Sequence, residues 1–251
     1  MSKKLASGAP NIVLDVTIGS GAFMKSVEEG KLLAEKMVAI GKSCGRNVSA
    51  VLTNMDEPLG FAVGNAIEVE ESVRLLRGEK IPGLYEVCVS LAANMLALAS
   101  GDEYGDCVNR VLQAIETGAA FEQFKKWIRC QGGDTRFTDN FSLLPSARYE
   151  KPVTAVCSGY ITRMDAELVG KASCMLGAGR LRYDDEIDHA AGIVLRKKVG
   201  DMCSCGDTVC ILKTSDPSLF EEAERTFNAA LSFGEEKPPV SGLSLIHILL
   251  N

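Results

Sequence analysis

The sequence lacks several features that mark familiar classes of protein. It has no run of 18 apolar residues, so a transmembrane helix is not expected. Residues 1–8 carry lysines but no apolar core, which argues against a secretory signal peptide. The net charge is −6, from 33 acidic and 27 basic residues, whereas nucleic-acid-binding proteins normally present a basic surface. We therefore expect a cytoplasmic protein with neither a membrane nor a nucleic acid as its partner.

Histidine is scarce and the cysteines show no regular spacing. With His189 and His247 alone, no Ser-His-Asp or Cys-His catalytic set can be assembled. The nine cysteines are odd in number, scattered and mostly within apolar runs, which predicts reduced core thiols instead of disulfides. Cys203, Cys205 and Cys210 lack the Cys-x2-Cys spacing and the neighbouring histidine of a zinc site.

The first half of the sequence alternates between strand and helix patterns. Residues 11–16 and 47–53 are short apolar runs typical of buried strands, and residues 27–42 have the period of an amphipathic helix. Together with the glycine turn at 19–21 they predict a right-handed, parallel βαβ unit. The sequence predicts further helices at 65–77, 84–99, 104–118 and 119–130. The helix at 84–99 is apolar enough to be buried.

The pattern becomes β-rich after a polar linker at residues 131–140, which we interpret as a domain boundary. Residues 152–161 alternate as in a strand. Two further strands are predicted at 193–199 and 208–212, and helices at 166–176 and 217–233. The fold class is therefore α/β: an α/β domain with a βαβ unit and several helices, followed by a smaller α+β, β-rich domain.

Both ends of the chain are unusual. Residues 2–8 have the pattern of the last turn of a helix, with lysines ahead of Gly8, although one turn alone is not a stable helix. Residues 240–251 form an apolar tail with no helical or alternating period. The tail is interpreted either as a final strand or as an artefact of reading frame or cloning, and no function is assigned to it.

Two local patterns carry weak chemical signals. The Gly-Ser-Gly turn at residues 19–21 follows a strand, where free backbone amides bind anions, but it lacks the third glycine of a dinucleotide site. An ordinary tight turn is the favoured interpretation. The acidic residues at 184–188, next to His189, favour a solvated turn over a metal or acid–base site. These residues alone do not specify a reaction.

Longer strings resemble one family. SKKLASG at 2–8, IVLDV at 12–16 and GSGAFM at 19–24 are similar to pyrimidine-nucleoside phosphorylases and thymidine phosphorylases. LTNMDEPLGFAVGNAIEV at 52–69 resembles the next block of that family, and SGYITRMD at 158–165 resembles its C-terminal domain. The resemblance runs in order from residue 1 to near residue 239.

The resemblance also implies a domain organisation. Residues 1–10 correspond to the remnant of a helical domain, and residues 11–140 to part of the α/β phosphorylase domain. Residues 150–235 correspond to the β-rich C-terminal domain, for which a barrel-sandwich, lipoyl-like form is expected. The tail at 240–251 leaves the family pattern.

The family splits pyrimidine nucleosides with inorganic phosphate as co-substrate, giving a free pyrimidine and a pentose 1-phosphate. The resemblance implies that Lys3 contacts the base, where a fixed cation stabilises the negative charge of the leaving group. Phe23 matches a residue that lines the pyrimidine pocket. Leu59 and Ala62, through backbone carbonyls, and Glu71 match a potassium site. The resemblance also implies that the full-length enzyme is a homodimer.

The chain departs from the family pattern in several places. The phosphate loop, the base-contacting arginine and the serine four residues before Lys3 have no counterpart, and Thr17 stands where lysine is usual. No catalytic residue is therefore assigned, and we expect a portion of a longer enzyme that is inactive alone. A thymidine-restricted phosphorylase stays open as an alternative. So does a non-catalytic carrier or binding module, which is disfavoured because residues 163–165 contain no carrier lysine.

Overall fold

The computed structural model describes residues 1–239 and 244–248. The helices are α1 (Ser2–Ala6), α2 (Val27–Ser43), α3 (Ala66–Leu76), α4 (Leu84–Ser100), α5 (Tyr104–Glu116), α6 (Ala119–Cys130), α7 (Ala166–Ser173) and α8 (Phe220–Ala229). The strands are β1 (Asn11–Ile18), β2 (Asn47–Asn54), β3 (Ala62–Gly64), β4 (Tyr149–Thr154), β5 (Gly159–Met164), β6 (Gly192–Leu195), β7 (Met202–Cys203), β8 (Thr208–Thr214), β9 (Leu231–Gly234) and β10 (Ser244–Ile248).

The predicted βαβ unit is confirmed. β1 pairs in parallel with β2, from Asn11 opposite Asn47 to Ile18 opposite Asn54. α2 packs closely on this pair because it carries glycine at the contact, where a Cβ on Gly30 would collide with the Ile18 side chain. Part of the tail forms β10, antiparallel to β2, as the strand interpretation expects. The predictions for residues 240–243 and 249–251 lie outside the described residues.

The helices α3 to α6 follow the predicted ranges closely, but α4 is not fully buried. Its residues Val89 and Ala93 pack with Cys107, Val111 and Ile115 of α5. The opposite side of α4 is open, and Met95 there is 55% exposed. The prediction of a buried helix was wrong because the apolar residues run around α4, whereas α5 and the β1–β2 sheet leave the side that carries Met95 uncovered. None of the helices in the described part of the chain is long and apolar enough to cross a membrane.

The second half forms two antiparallel sheets of order β3-β6-β8-β4 and β7-β5-β9. The alternating run at 152–161 was predicted as one strand, but it divides into β4 and β5, which belong to different sheets. The reversal occurs at residues 155–158, where Ala155 donates its amide to Asp207 and accepts from Gly206. The alternation of apolar and polar residues continues across the turn, so the sequence pattern does not indicate where β4 ends and β5 begins.

The last predicted helix, at 217–233, is also partly wrong. A 3-10 turn at Pro217–Leu219 leads into α8, with Asp216 accepting from the Ser218 amide. α8 ends at Ala229, and the next residues form β9, in which Phe233 lies opposite Ile161 of β5. Pairing with a distant strand therefore overrides the local helical pattern.

One short strand joins the two halves of the chain. β3 lies within the range predicted for the first domain, yet it pairs with β6, placing Ala62 opposite Val194. The predicted linker at 131–140 contains the 3-10 turn Arg136–Thr138, and an ion pair of 2.7 Å between Arg77 and Asp139 holds it against the end of α3. The α/β portion and the β-rich portion therefore share a sheet.

The nine cysteines are all free thiols, as predicted, but most of them are not in the core. Cys107, Cys203 and Cys210 are buried, whereas five others lie at the surface: Cys44, Cys88, Cys130, Cys157 and Cys205. The prediction of core thiols failed because Cys44 and Cys130 lie at helix ends, Cys157 and Cys205 lie in turns between strands, and Cys88 lies on the open side of α4. Burial raises the pKa of the Cys210 thiol, which keeps it protonated and unreactive.

The β-rich half depends on a core around Phe227, which has no exposed surface. Replacing Phe227 with alanine is expected to lower the free energy of unfolding by about 3–5 kcal/mol, because it leaves a cavity. The matched control is Phe23→Ala, since Phe23 is 97% exposed and its removal is expected to cost under about 0.5 kcal/mol. Urea unfolding of both variants tests this, and equal losses would contradict the described core.

Candidate functional site

Lys3 precedes β1 in the chain, and Phe23 follows it. Lys3 is on α1, which precedes the strand, and Gly8 ends that helix in the left-handed conformation, as predicted. Phe23 follows the carboxyl end of the strand, so eight residues of β1, roughly 26 Å of strand, separate the two connections. The near-complete exposure of Phe23 excludes a role in core packing.

The Gly-Ser-Gly turn at residues 19–21 has no amide left for an anion. The Gly19 amide bonds to the Met24 carbonyl, the Ser20 amide to the Asp56 carboxylate at 2.9 Å, and the Gly21 amide to the Met55 carbonyl. A Cβ on Gly19 would lie 2.5 Å from the Asp56 carboxylate. The tight-turn interpretation is correct, and the turn fastens β1 to the segment that follows β2.

Glu71 organises the segment that contains Leu59 and Ala62. Its carboxylate accepts the Phe61 amide at 2.8 Å and the Ala62 amide at 3.3 Å. Gly60 is required at this point, because a Cβ there would collide with the same carboxylate. Leu59, Ala62 and Glu71, which the resemblance assigned to a potassium site, are thus brought together by α3 and the loop before β3.

These three residues line a cavity of about 350 Å³ with an acidic wall. Four carboxylates contribute to it: Asp15, Glu57, Glu68 and Glu71. Burial raises the pKa of Glu68, the Gly64 amide opposes the shift, and the charge of Glu71 adds to it. Asp15 accepts the Thr53 hydroxyl at 2.6 Å. The cavity therefore offers several hard oxygen atoms and an excess of negative charge.

A residue that sequence reasoning missed, Lys198, supplies a cation beside this cavity. Its ammonium donates to the Pro58 carbonyl at 2.6 Å and to the Leu59 carbonyl at 3.1 Å, and lies 3.8 Å from the Glu57 carboxylate. Lys198 is 8% exposed. Burial lowers the pKa of Lys198, and the nearby carboxylates, of which Glu57 and Glu71 have the largest effect, oppose the shift.

The β-rich half holds the same loop at two further points. The Val199 amide donates to the Glu57 carboxylate at 3.2 Å, and the Leu195 amide donates to the Phe61 carbonyl at 2.7 Å. We call residues 57–62 the clamped loop, since α3 holds it from one side and residues 195–199 hold it from the other. Sequence reasoning assigned Lys198 to the strand predicted at 193–199, whereas β6 ends at Leu195.

The clamped loop fits a hard monovalent cation. Carbonyl and carboxylate oxygens are the donors that such a cation prefers, and particular side chains are not required for carbonyl ligands. The Leu59 carbonyl already accepts from Lys198, and the Glu71 oxygens already accept amides. Each of these oxygens has a second lone pair, so hydrogen bonding and ion binding are compatible.

The other candidate patterns prove structural. The Asp185 carboxylate accepts the amides of Leu181 and Arg182, and Asp188 accepts those of Ala190 and Ser215, so the acidic run organises turns. Over the described residues no group of three or more His, Cys, Asp or Glu side chains is arranged to hold a metal.

Comparison with known proteins gives matches along the chain. A sequence model of the "Glycosyl transferase family, a/b domain" matches residues 1–121, and one of the "Pyrimidine nucleoside phosphorylase C-terminal domain" matches residues 160–234. Proteins named pyrimidine-nucleoside phosphorylase are similar over all 251 residues, with 44% identity in Staphylococcus aureus (strain bovine RF122 / ET3-1) and 40% in Bacillus subtilis (strain 168). The chain spans 57% of the length of these relatives.

Glu71 and Glu70 provide a matched test of the clamped loop. Glu71→Ala is expected to lower the free energy of unfolding by about 1–3 kcal/mol, because the Phe61 and Ala62 amides lose their acceptor. Glu70→Ala removes a partly exposed pair with Arg74 and is expected to cost about 0.5 kcal/mol or less. Urea unfolding compares them, and a Glu71 variant as stable as the Glu70 variant would contradict the assigned role.

Proposed function

We propose that the chain belongs to the pyrimidine-nucleoside phosphorylase family and forms part of an enzyme that cleaves pyrimidine nucleosides with inorganic phosphate. The observation that carries this proposal is the match of both family domains, in order, together with 40–44% identity over all 251 residues. The products are a free pyrimidine and a pentose 1-phosphate. Such an enzyme is a pentosyltransferase of cytoplasmic nucleoside salvage, and we propose a homodimer.

In this proposal Lys3 and Phe23 bind the base. Phosphate attacks the anomeric carbon, the bond to the base breaks, and negative charge develops on the departing pyrimidine. An ammonium at a base carbonyl lowers the barrier because it stabilises this charge more in the transition state than in the substrate. The exposure of the Phe23 ring supports a contact with a planar base.

We also propose that the clamped loop holds a potassium ion. The carbonyls of Leu59 and Ala62 and the carboxylate of Glu71 hold the ion in this proposal, and the acidic wall of the cavity supports it. A bound monovalent cation supplies charge neutralisation and order to the backbone. The residues of the chain do the rest: Glu71 fixes the Phe61 and Ala62 amides, and Lys198 fixes the carbonyls before them.

For the β-rich half we propose the barrel-sandwich form expected from the resemblance. Its support is the pair of antiparallel sheets around one buried cluster that includes Ile161, Leu212 and Phe227. A role as a carrier is not supported. Residues 163–165 lead into a helix, where Asp165 caps α7 by accepting the Leu168 amide, instead of forming an exposed hairpin tip with a lysine.

Activity assays test the proposed function in two steps. The 251-residue chain alone is expected to show no phosphorolysis of uridine or thymidine, because strings matching the family's phosphate loop are not found in it. A chimera that adds the remaining portion of the Bacillus subtilis relative is expected to be active. Robust turnover by the 251-residue chain would contradict the first expectation.

Within the active chimera, Lys3→Ala is expected to lower kcat/KM by about 100-fold or more, since it removes the cation at the leaving base. Lys4→Ala is the matched control, because Lys4 is also an exposed lysine on α1, and its activity is expected to stay within about twofold of the parent. Equal activity of the two variants would contradict the role proposed for Lys3.

A further inference from the structure

The acidic cavity is unusual in that a lysine side chain reaches its loop from a distant part of the chain. Lys198 follows β6, about 140 positions after the loop it contacts. Its ammonium is directed at two backbone carbonyls and a carboxylate, those of Pro58, Leu59 and Glu57. This is an oxygen environment of the kind that binds a free monovalent cation.

Charge balance makes the ammonium necessary. One cavity is lined by four carboxylates, those of Asp15, Glu57, Glu68 and Glu71. Their negative charges repel one another when the cavity is partly shielded from water. Lys198 also lies 5.6 Å from the centre of the Phe61 ring, whose face favours a cation. Without Lys198, the Pro58 and Leu59 carbonyls lose their donor and the carboxylates lose a neutralising charge.

We propose that Lys198 is the resident cation of this cavity. Its ammonium neutralises the carboxylates and holds the loop carbonyls, as a bound monovalent ion would, and so determines how strongly the stability of the fold depends on such an ion. The inference rests in part on the proposed potassium site, with which Lys198 shares the Leu59 carbonyl. In the wild-type chain, potassium therefore contributes little to stability. Once the ammonium is removed, the cavity binds potassium more tightly and the fold depends on it.

Thermal unfolding of the 251-residue chain tests this inference with Lys198→Met, which keeps the aliphatic stem and removes the charge. The control is Lys197→Met, because Lys197 is a half-buried neighbour whose ammonium contacts the Met202 carbonyl instead. Each protein is melted in choline chloride and in potassium chloride at equal ionic strength. The comparison separates potassium binding from charge screening.

In choline chloride, Lys198→Met is expected to melt about 10 °C below the wild type, and Lys197→Met within about 2 °C of it. Replacing choline with potassium is expected to raise the Tm of Lys198→Met by several degrees more than that of the wild type. A potassium-specific shift in Lys198→Met no larger than in the wild type would overturn the inference. If potassium raises the Tm of Lys198→Met and leaves that of the wild type unchanged, the inference is supported and the proposed potassium site is contradicted.

A second variant keeps the test decisive if Lys198→Met folds poorly. Lys198→Met combined with Glu57→Gln removes the ammonium together with its nearest carboxylate. The double variant is expected to regain at least about half of the lost Tm, and its potassium-specific shift is expected to return toward the wild-type value. No recovery would overturn the inference, because it would show that Lys198 does not act by balancing charge in the cavity.

Discussion

One buried cation, Lys198, connects the two halves of this chain. Lys198 carries its charge to a position that is 8% exposed, and the contacts that make this tolerable are the Pro58 and Leu59 carbonyls and the Glu57 carboxylate. A buried charge is stable only when such partners surround it. The clamped loop is therefore fixed from the β-rich half, while Glu71 of α3 fixes it from the α/β half. β3 then continues from this loop into the sheet of the β-rich half.

The regular elements were predictable where local periodicity and tertiary packing agree. The βαβ unit and the helices α3, α5 and α6 follow from apolar spacing, and their observed ends lie within about two residues of the predictions, a normal margin. The errors occur where pairing with a distant segment determines the secondary structure. β9 forms because β5 offers a free edge, and β4 and β5 separate because each pairs with a different sheet. Exposure of Cys88 and Met95 on α4 likewise depends on which neighbours are present.

The candidate site was only partly visible in the sequence. Leu59, Ala62 and Glu71 were identified by resemblance, and the structure adds the reason for their spacing: Glu71 reaches back from α3 to two amides of the loop. Lys198 could not be found in this way, because its partners lie about 140 positions away and backbone carbonyls leave no trace in a sequence pattern. The Gly-Ser-Gly turn was predicted to be an ordinary tight turn, and its three amides are occupied, as that interpretation expects.

The claim that Lys198 holds the clamped loop is tested most directly by hydrogen exchange at the Phe61 and Ala62 amides. Both are bonded to Glu71, so they exchange only when the loop opens. The account predicts that Lys198→Met accelerates their exchange by about tenfold or more, and by a larger factor than it accelerates exchange of the amides in the middle of β2, and that Lys197→Met accelerates neither. Unchanged exchange at Phe61 and Ala62 in Lys198→Met would contradict the account.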